Sequence, residues 1–230
     1  MIKTSVERIP LLGPGLVSAR RAVRHAQFRG STNYWERRYR KGGNSGAGSY
    51  GEVAKYKAAV LNGLVKELGV TTILEFGCGD GAQLALATYP SYVGLDVSRT
   101  AVQICLSLFS SDNSKSFLFY DPECFLNHGA LQAEMVLSLD VLLHLVEDEV
   151  LARYLRDLDR ANSKYLVFYT EDASITSSSS HVRYRKLSEW AHMLPDWQLT
   201  RRITNPLKGP DTIADFFLFE RTLRSAEAAS

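Results

Sequence analysis

The sequence predicts a doubly wound α/β sheet of mostly parallel strands that ends in an antiparallel hairpin. Three observations carry that expectation. Five short apolar runs, rich in β-branched and aromatic residues and free of internal proline, alternate with amphipathic stretches. A glycine-rich turn follows the first run. Two further strand-like segments close the pattern, joined by Asn205, Pro206, Leu207, Lys208, Gly209 and Pro210, a composition suited to a turn. Alternation of strand and helix implies parallel pairing through right-handed crossovers.

Taken in order, residues 17–41 mix Arg20, Arg21, Arg24, Arg29, Arg37, Arg38 and Arg40 with Tyr34, Trp35 and Tyr39, which reads as a basic helix with aromatic anchors. Residues 42–51 hold five glycines in ten positions, too many for a stable helix or strand, so a flexible loop is expected there. Val53, Tyr56, Ala59, Val60, Leu64 and Leu68 then recur at helical spacing up to a stop at Gly69. Strands follow over 71–76, 91–95, 116–120, 135–139 and 165–170, with helices between them from about Ala82, Ser98, Glu123 and Glu147. Ser98 suits an N-cap. The serine tract 177–180 reads as a loop at the mouth of the fold, and 197–203 with 212–220 form the terminal hairpin.

With 230 residues, 45% hydrophobic and 23% charged, the chain can bury one substantial core. We divide it into a basic arm and glycine-rich lid (1–51), a main domain (52–222) and a polar tail (223–230). The net charge of +2 conceals an asymmetry, since residues 1–41 carry ten Lys or Arg against Glu7 and Glu36. Such an arm is usually a solvated face or a partner surface and does not by itself point to nucleic acid; it would serve as a homodimer contact or as a cover for an active site. No apolar run is long enough to span a bilayer, and Glu7, Pro10 and Pro14 interrupt the start where a signal peptide needs an unbroken apolar stretch, so a cytoplasmic protein is expected. Cys78, Cys105 and Cys124 are odd in number and lack close-pair spacing, which suggests neither a disulfide framework nor a zinc site.

The most informative stretch is Ile73-Leu74-Glu75-Phe76-Gly77-Cys78-Gly79-Asp80-Gly81-Ala82, a strand that ends in a glycine turn. A dinucleotide site would want G-x-G-x-x-G facing a pyrophosphate. The spacing here is G-x-G-x-G, bracketed by Glu75 and Asp80, and two carboxylates suit a ligand that carries an ammonium and a sulfonium. Asp96 ends the second strand nineteen positions after Gly77, where a ribose-binding carboxylate belongs. Asp121 ends the third strand, within reach of an adenine amino group.

Through E-F-G-C-G-D-G, V-G-L-D, F-Y-D and S-L-D-V-L-L-H-L, residues 30–222 resemble the class I S-adenosylmethionine-dependent methyltransferases. The resemblance implies a Rossmann-like seven-stranded sheet with its last strand antiparallel, and S-adenosylmethionine as methyl donor bound by the main domain. It implies that Glu75, Gly77, Cys78, Gly79, Asp80 and Gly81 lie near the methionine part, Asp96 on the ribose, and Asp121 and Pro122 near adenine; Val97 and Leu139 are further candidate cofactor contacts, and the glycine-rich loop is expected to close over the cofactor with Tyr50 as an apolar or hydroxyl contact. The stretch from Tyr34-Trp35 through Tyr50-Gly51 is also similar to the leading segment of a small bacterial subgroup found beside carbohydrate and natural-product genes.

Methyl transfer to an aliphatic hydroxyl calls for a general base. His144, one turn past the fourth strand end, is the leading candidate, with Asp140 beside it to fix the imidazole or stabilise its protonated form. Glu171 at the fifth strand end is a second proton site, and His181 is the second-choice base. Tyr169, His181, Arg183 and Arg185 are placed to contact a hydroxylated small-molecule acceptor, a sugar or glycoside. No ligand spacing demands a divalent metal, although His144, Asp140 and Glu171 would offer hard ligands. An N-methyltransferase and a non-catalytic domain that binds S-adenosylmethionine are the competing readings.

Overall fold

The computed structural model describes residues 30–222 except 178, 210 and 211. The first part of the basic arm and the polar tail lie outside the described residues. Seven strands form one sheet: β1 (Thr72–Phe76), β2 (Ser91–Asp96), β3 (Lys115–Phe119), β4 (Ala133–Leu139), β5 (Asn162–Thr170), β6 (Trp197–Ile203) and β7 (Asp215–Arg221). Their order is β3-β2-β1-β4-β5-β7-β6. β1 pairs in parallel with β2 and β4, β2 with β3, and β4 with β5, while β7 runs antiparallel to β5 and β6. This is the doubly wound sheet with a terminal hairpin that the sequence predicts.

Alternation along the strands divides the core between two faces. Ile73, Tyr92, Met135, Leu137, Val167 and Phe216 meet Leu61, Leu64 and Val65 of α2 (Gly51–Glu67) and Val102 and Cys105 of α3 (Arg99–Leu108). Leu74, Phe76, Val136, Leu166, Phe168 and Phe217 meet Leu151, Leu155 and Leu158 of α4 (Asp148–Arg160) and Trp190 of the short α5 (Leu187–Trp190). Apolar side chains on both faces of every central strand explain why those strands read as continuous hydrophobic runs. Ser98 caps α3, its Oγ accepting from Ala101 N at 3.1 Å, and α1 (Ser31–Arg40) is the described part of the basic helix.

Two expected helices are replaced by other structure. After β1 the chain makes one helical turn, Leu84–Leu86. Asp80 folds back to accept from Ala82 N at 3.2 Å, Asn62 of α2 accepts from Thr88 N at 2.9 Å, and Pro90 ends the segment before β2. From Glu123 no helix forms, because Asn127 satisfies Leu131 on both sides, accepting from its N–H at 2.9 Å and donating to its carbonyl at 2.6 Å. A side chain that offers the backbone these bonds competes with a helix. The second hairpin strand begins at Asp215, three residues later than expected, since Thr212 pairs with Gly209 in an isolated bridge.

Candidate active site

A cleft of about 910 Å³, counting its mouth, opens at the carboxyl ends of β1 and β4, where the sheet order reverses. Ligands collect at such a switch point. Its floor is Glu75, Gly77, Cys78 and Gly79; its sides are Asp96, Val97 and Pro122 on one hand and Leu139, Asp140, Val141 and His144 on the other. Ser31, Thr32, Trp35 and Tyr39 of α1 roof it over.

Each amide of the glycine turn has an acceptor inside the protein. Gly77 N and Cys78 N donate to Leu95 O at 2.7 and 3.1 Å, and Gly81 N donates to Cys78 O at 3.4 Å. Gly79 N donates to Asp96 Oδ2 at 2.9 Å and Asp80 N to Ser45 Oγ at 3.0 Å. Asp96 Oδ1 also accepts from Ser98 N at 2.8 Å, so this acid ties the turn to the end of β2. Burial pushes the Asp96 carboxyl up to about 6 against the pull of those two amides. Burial likewise pushes Glu75 up to about 7, although Tyr92 donates its hydroxyl proton to Glu75 at 2.7 Å. Gly79 holds φ +59, and a Cβ there would run into Ser45 Oγ.

Ser45 and Asp80 make a reciprocal latch. Ser45 N donates to Asp80 Oδ2 at 2.9 Å while Ser45 Oγ takes the Asp80 amide and lies 2.9 Å from Tyr39 Oη. Tyr50 Oη donates to the same Asp80 oxygen at 2.7 Å. Asp80 and Tyr50 therefore hold the 42–51 loop against the turn, and neither lines the cleft. The roof is pinned at both ends. Ser31 Oγ donates to His144 O, and Glu36 accepts from Ser98 Oγ at 2.7 Å and from Thr100 N and Oγ1 at 3.2 and 2.9 Å.

His144 sits at the end of the turn Leu142–His144 after β4. Its Nδ1 lies 3.0 Å from His181 O. A carbonyl can only accept, so Nδ1 carries the proton and the lone pair of the neutral ring is on Nε2. Trp35 meets the ring edge-on at 4.8 Å, and His181 lies parallel to it at 5.6 Å and stacks on Tyr34 at 4.0 Å. Burial lowers the His144 pKa against the opposing effects of the His181 carbonyl and Asp140. Burial, then the neighbouring His144, brings His181 down to about 4. Asp140 directs its carboxylate elsewhere, accepting from Lys57 Nζ at 2.7 Å. It holds φ 57, a left-handed conformation uncommon outside glycine, and Gly48 comes so near that an added Cβ would sit 2.9 Å from Asp140 Oδ2.

No family model and no curated protein matches the chain. Solved structures do. The N-methyltransferase NodS from Bradyrhizobium japonicum WM9 in complex with S-adenosyl-L-homocysteine aligns with a TM-score of 0.64 at 16% identity, over 83% of this chain and 98% of that one. Magnesium protoporphyrin IX methyltransferase ChlM from Synechocystis PCC 6803 with bound SAH aligns at 0.62 and 15%, over 88% of this chain and 100% of that one. The mitomycin 7-O-methyltransferase MmcR aligns at 0.56 and 18%, over 75% and 55%. The chain has the fold of these methyltransferases.

The remaining residues singled out from sequence lie around the cleft rather than in it. Asp121 accepts from Glu123 N at 3.0 Å, and its neighbours Tyr120 and Pro122 face the cleft. Gly81 backs onto Cys105 and Phe109. Tyr169 lies beneath Lys57 Nζ, 5.1 Å from the ring centre, and its hydroxyl accepts from Asn205 Nδ2 at 2.8 Å. Arg185 donates to Leu145 O at 2.7 Å and to Val146 O and Asp148 at 3.0 Å, and Arg183 joins Val146 O and Asp148. Both arginines brace the start of α4. Glu171 shares a second cavity of about 230 Å³ with those arginines, and burial followed by the charge of Asp140 pushes its carboxyl up to about 7.

Sequence reasoning missed Lys57, Ser45 and Tyr154 as cleft residues. Lys57 and Tyr154 sit among ordinary helical residues and carry no motif, while Ser45 lies in the glycine loop, where a reciprocal latch has no spacing signature. Among the described residues no three His, Cys, Asp or Glu converge to hold a metal ion, and no helix is long and apolar enough to cross a membrane.

Proposed function

We propose that the protein is an S-adenosylmethionine-dependent O-methyltransferase that acts on a hydroxyl of a small acceptor, a carbohydrate or glycosylated metabolite. The observation that carries this reading is the hydrogen bond from His144 Nδ1 to His181 O, which leaves Nε2 as the basic atom of a ring lining the cleft. The cofactor reading is supported by the chemistry of the walls. Glu75 and Asp96 offer carboxylates to a cation and to ribose hydroxyls, and the missing side chains at Gly77 and Gly79 let Val141 and Ser45 pack against the turn and stand with it in the cleft wall. Val97 and Pro122, with Val141 across the cleft, give a flat base an apolar slot.

S-adenosylmethionine supplies an electrophilic methyl group on a sulfonium. The protein contributes orientation, dryness and a proton acceptor. α1 and the latched 42–51 loop cover the cleft and exclude water, which would otherwise compete with the acceptor. Trp35 offers its indole as a flat wall for a sugar ring, and Ser31 and Thr32 offer hydroxyls beside it. His144 Nε2 accepts the acceptor's hydroxyl proton, and the His181 carbonyl holds the imidazolium that results. Asp140 steadies that charge from a distance while fixed by Lys57.

Calorimetry with S-adenosylhomocysteine tests the cofactor assignment, and methyl release across a panel of sugars, glycosides and amines tests the acceptor. Turnover confined to hydroxyl acceptors and abolished in His144→Ala is the expected result. Turnover of amines with His144→Ala nearly unimpaired would overturn the O-methyl reading.

A further inference from the structure

The walls that suit a sulfonium leave one part of the same ligand unanswered. S-adenosylmethionine ends in an amino acid, and its α-carboxylate cannot rest against Glu75, Asp96 or Asp140 without a cation between. Among the described residues that line the cleft, Lys57 is the one that carries a positive charge. It stands on α2, outside every motif, and is 1% exposed. Its ammonium donates to Asp140 Oδ2 at 2.7 Å at the end of β4, and its charge reaches Glu75 at the end of β1. That bond engages one of three ammonium protons.

A role in stability alone accounts poorly for this arrangement. Burying an ion pair costs several kcal/mol of desolvation per ion, and apolar residues of similar volume commonly serve as well or better. The pair is also not sealed into the core, since it forms a wall of the cleft with the Asp140 side chain 26% exposed. A fixed ammonium next to a fixed carboxylate is the complement of a zwitterion, which presents the same two charges in the opposite sense.

Resting on the cofactor reading above, we infer that Lys57 receives the α-carboxylate of the methionyl group, with Asp140 beside it for the ammonium. Lys57 is on this account a binding residue for the cofactor's amino-acid end, and the Lys57–Asp140 pair separates a nucleoside that carries an amino acid from one that does not.

The test compares two ligands by calorimetry on the full chain: S-adenosylhomocysteine and its decarboxylated counterpart, which keeps the amine, the thioether and the nucleoside. The native protein is expected to prefer the carboxylated ligand by roughly 10- to 100-fold, the range of a hydrogen bond to a charged group. In Lys57→Met the two affinities should converge to within about threefold, and in Lys57→Arg the preference should persist. Lys57→Met with Asp140→Asn avoids a lone buried charge should the single variant not fold, and should also discriminate poorly. Loss of affinity for both ligands by the same factor in Lys57→Met would assign the pair a purely structural role and overturn the inference, as would an undiminished preference. Absence of binding of either ligand to the native protein would overturn the cofactor assignment itself.

Discussion

The backbone carbonyl of His181 accepts the Nδ1 proton of His144 at 3.0 Å, so a segment that follows β5 sets the tautomer of a ring that follows β4. A main-chain acceptor cannot take up a proton, and the geometry survives any substitution of the His181 side chain that leaves the loop in place. Replacing His144 by Gln should lower kcat by about 10²–10⁴ while S-adenosylhomocysteine affinity stays near its native value. Steady-state kinetics beside calorimetry check this, and a parallel loss of affinity would mean that His144 builds the cofactor site instead.

The acidic limb of the rate profile follows from the same ring. Burial lowers the His144 pKa, and a base must be neutral to act as proposed, so kcat should hold below the usual imidazole range and fall only as pH drops through the depressed value. A limb centred above pH 7 in the native enzyme, or one unchanged in His144→Gln, would contradict the assignment.

Cofactor affinity should depend on pH for a different reason. Glu75 at about 7 and Asp96 at about 6 lose charge on acidification, and a permanent sulfonium favours them ionised. S-adenosylmethionine affinity should therefore be full above about pH 7 and decline as pH falls through 7 and then 6. Asp96→Asn should weaken binding at neutral pH and flatten the lower part of the profile; isothermal titrations between pH 5 and 8, a range of the order of these shifts, measure both.

Gly79→Ala should be costly twice over. The residue holds φ +59, and the new methyl group would displace Ser45 Oγ from its place between Asp80 and Tyr39. A left-handed alanine costs about 1–2 kcal/mol and the broken latch about 1 kcal/mol more. Adding Ser45→Gly should recover part of the lost stability by making room, a coupling that a double-mutant cycle of unfolding free energies reads directly. Strictly additive losses would show that the two residues do not communicate.

Arg183 and Arg185 were expected at the acceptor, and their bonds lead to α4. Arg185 is 7% exposed and serves two carbonyls and Asp148, so Arg185→Met should destabilise the protein by about 2–4 kcal/mol. The more exposed Arg183 should cost about 1 kcal/mol or less. Thermal unfolding separates these from a substrate role, in which KM for the acceptor would rise with stability unchanged.

The fold was legible because its signals are local and redundant. Runs such as Leu166, Val167 and Phe168 bury side chains on both faces of the sheet, and their β-branched and aromatic content favours a central strand. Helices at Ala82 and Glu123 were expected from spacing, but the residues that displaced them, Asn62 and Asn127, act through paired side-chain bonds to the backbone that periodicity does not register. The glycine turn and Asp96 were legible because close backbone approach and strand-end position leave marks in sequence. Ser45 and Lys57 were not, for a latch across 35 positions and a lysine on a helix become visible only when folding brings them to the cleft.

The amides of the glycine turn are all engaged within the chain, from Leu95 O beneath Gly77 to the Asp80 carboxylate that holds Ala82. A triphosphate or pyrophosphate entering here would find no N–H left to cradle its oxygens, and the crossover after β1 is too short to set a helix pole behind them. Adenine nucleotides should therefore be poor competitors for the proposed ligand, whatever their abundance around it, because the adenosine they share with S-adenosylmethionine carries the wrong sign of charge at its 5′ end.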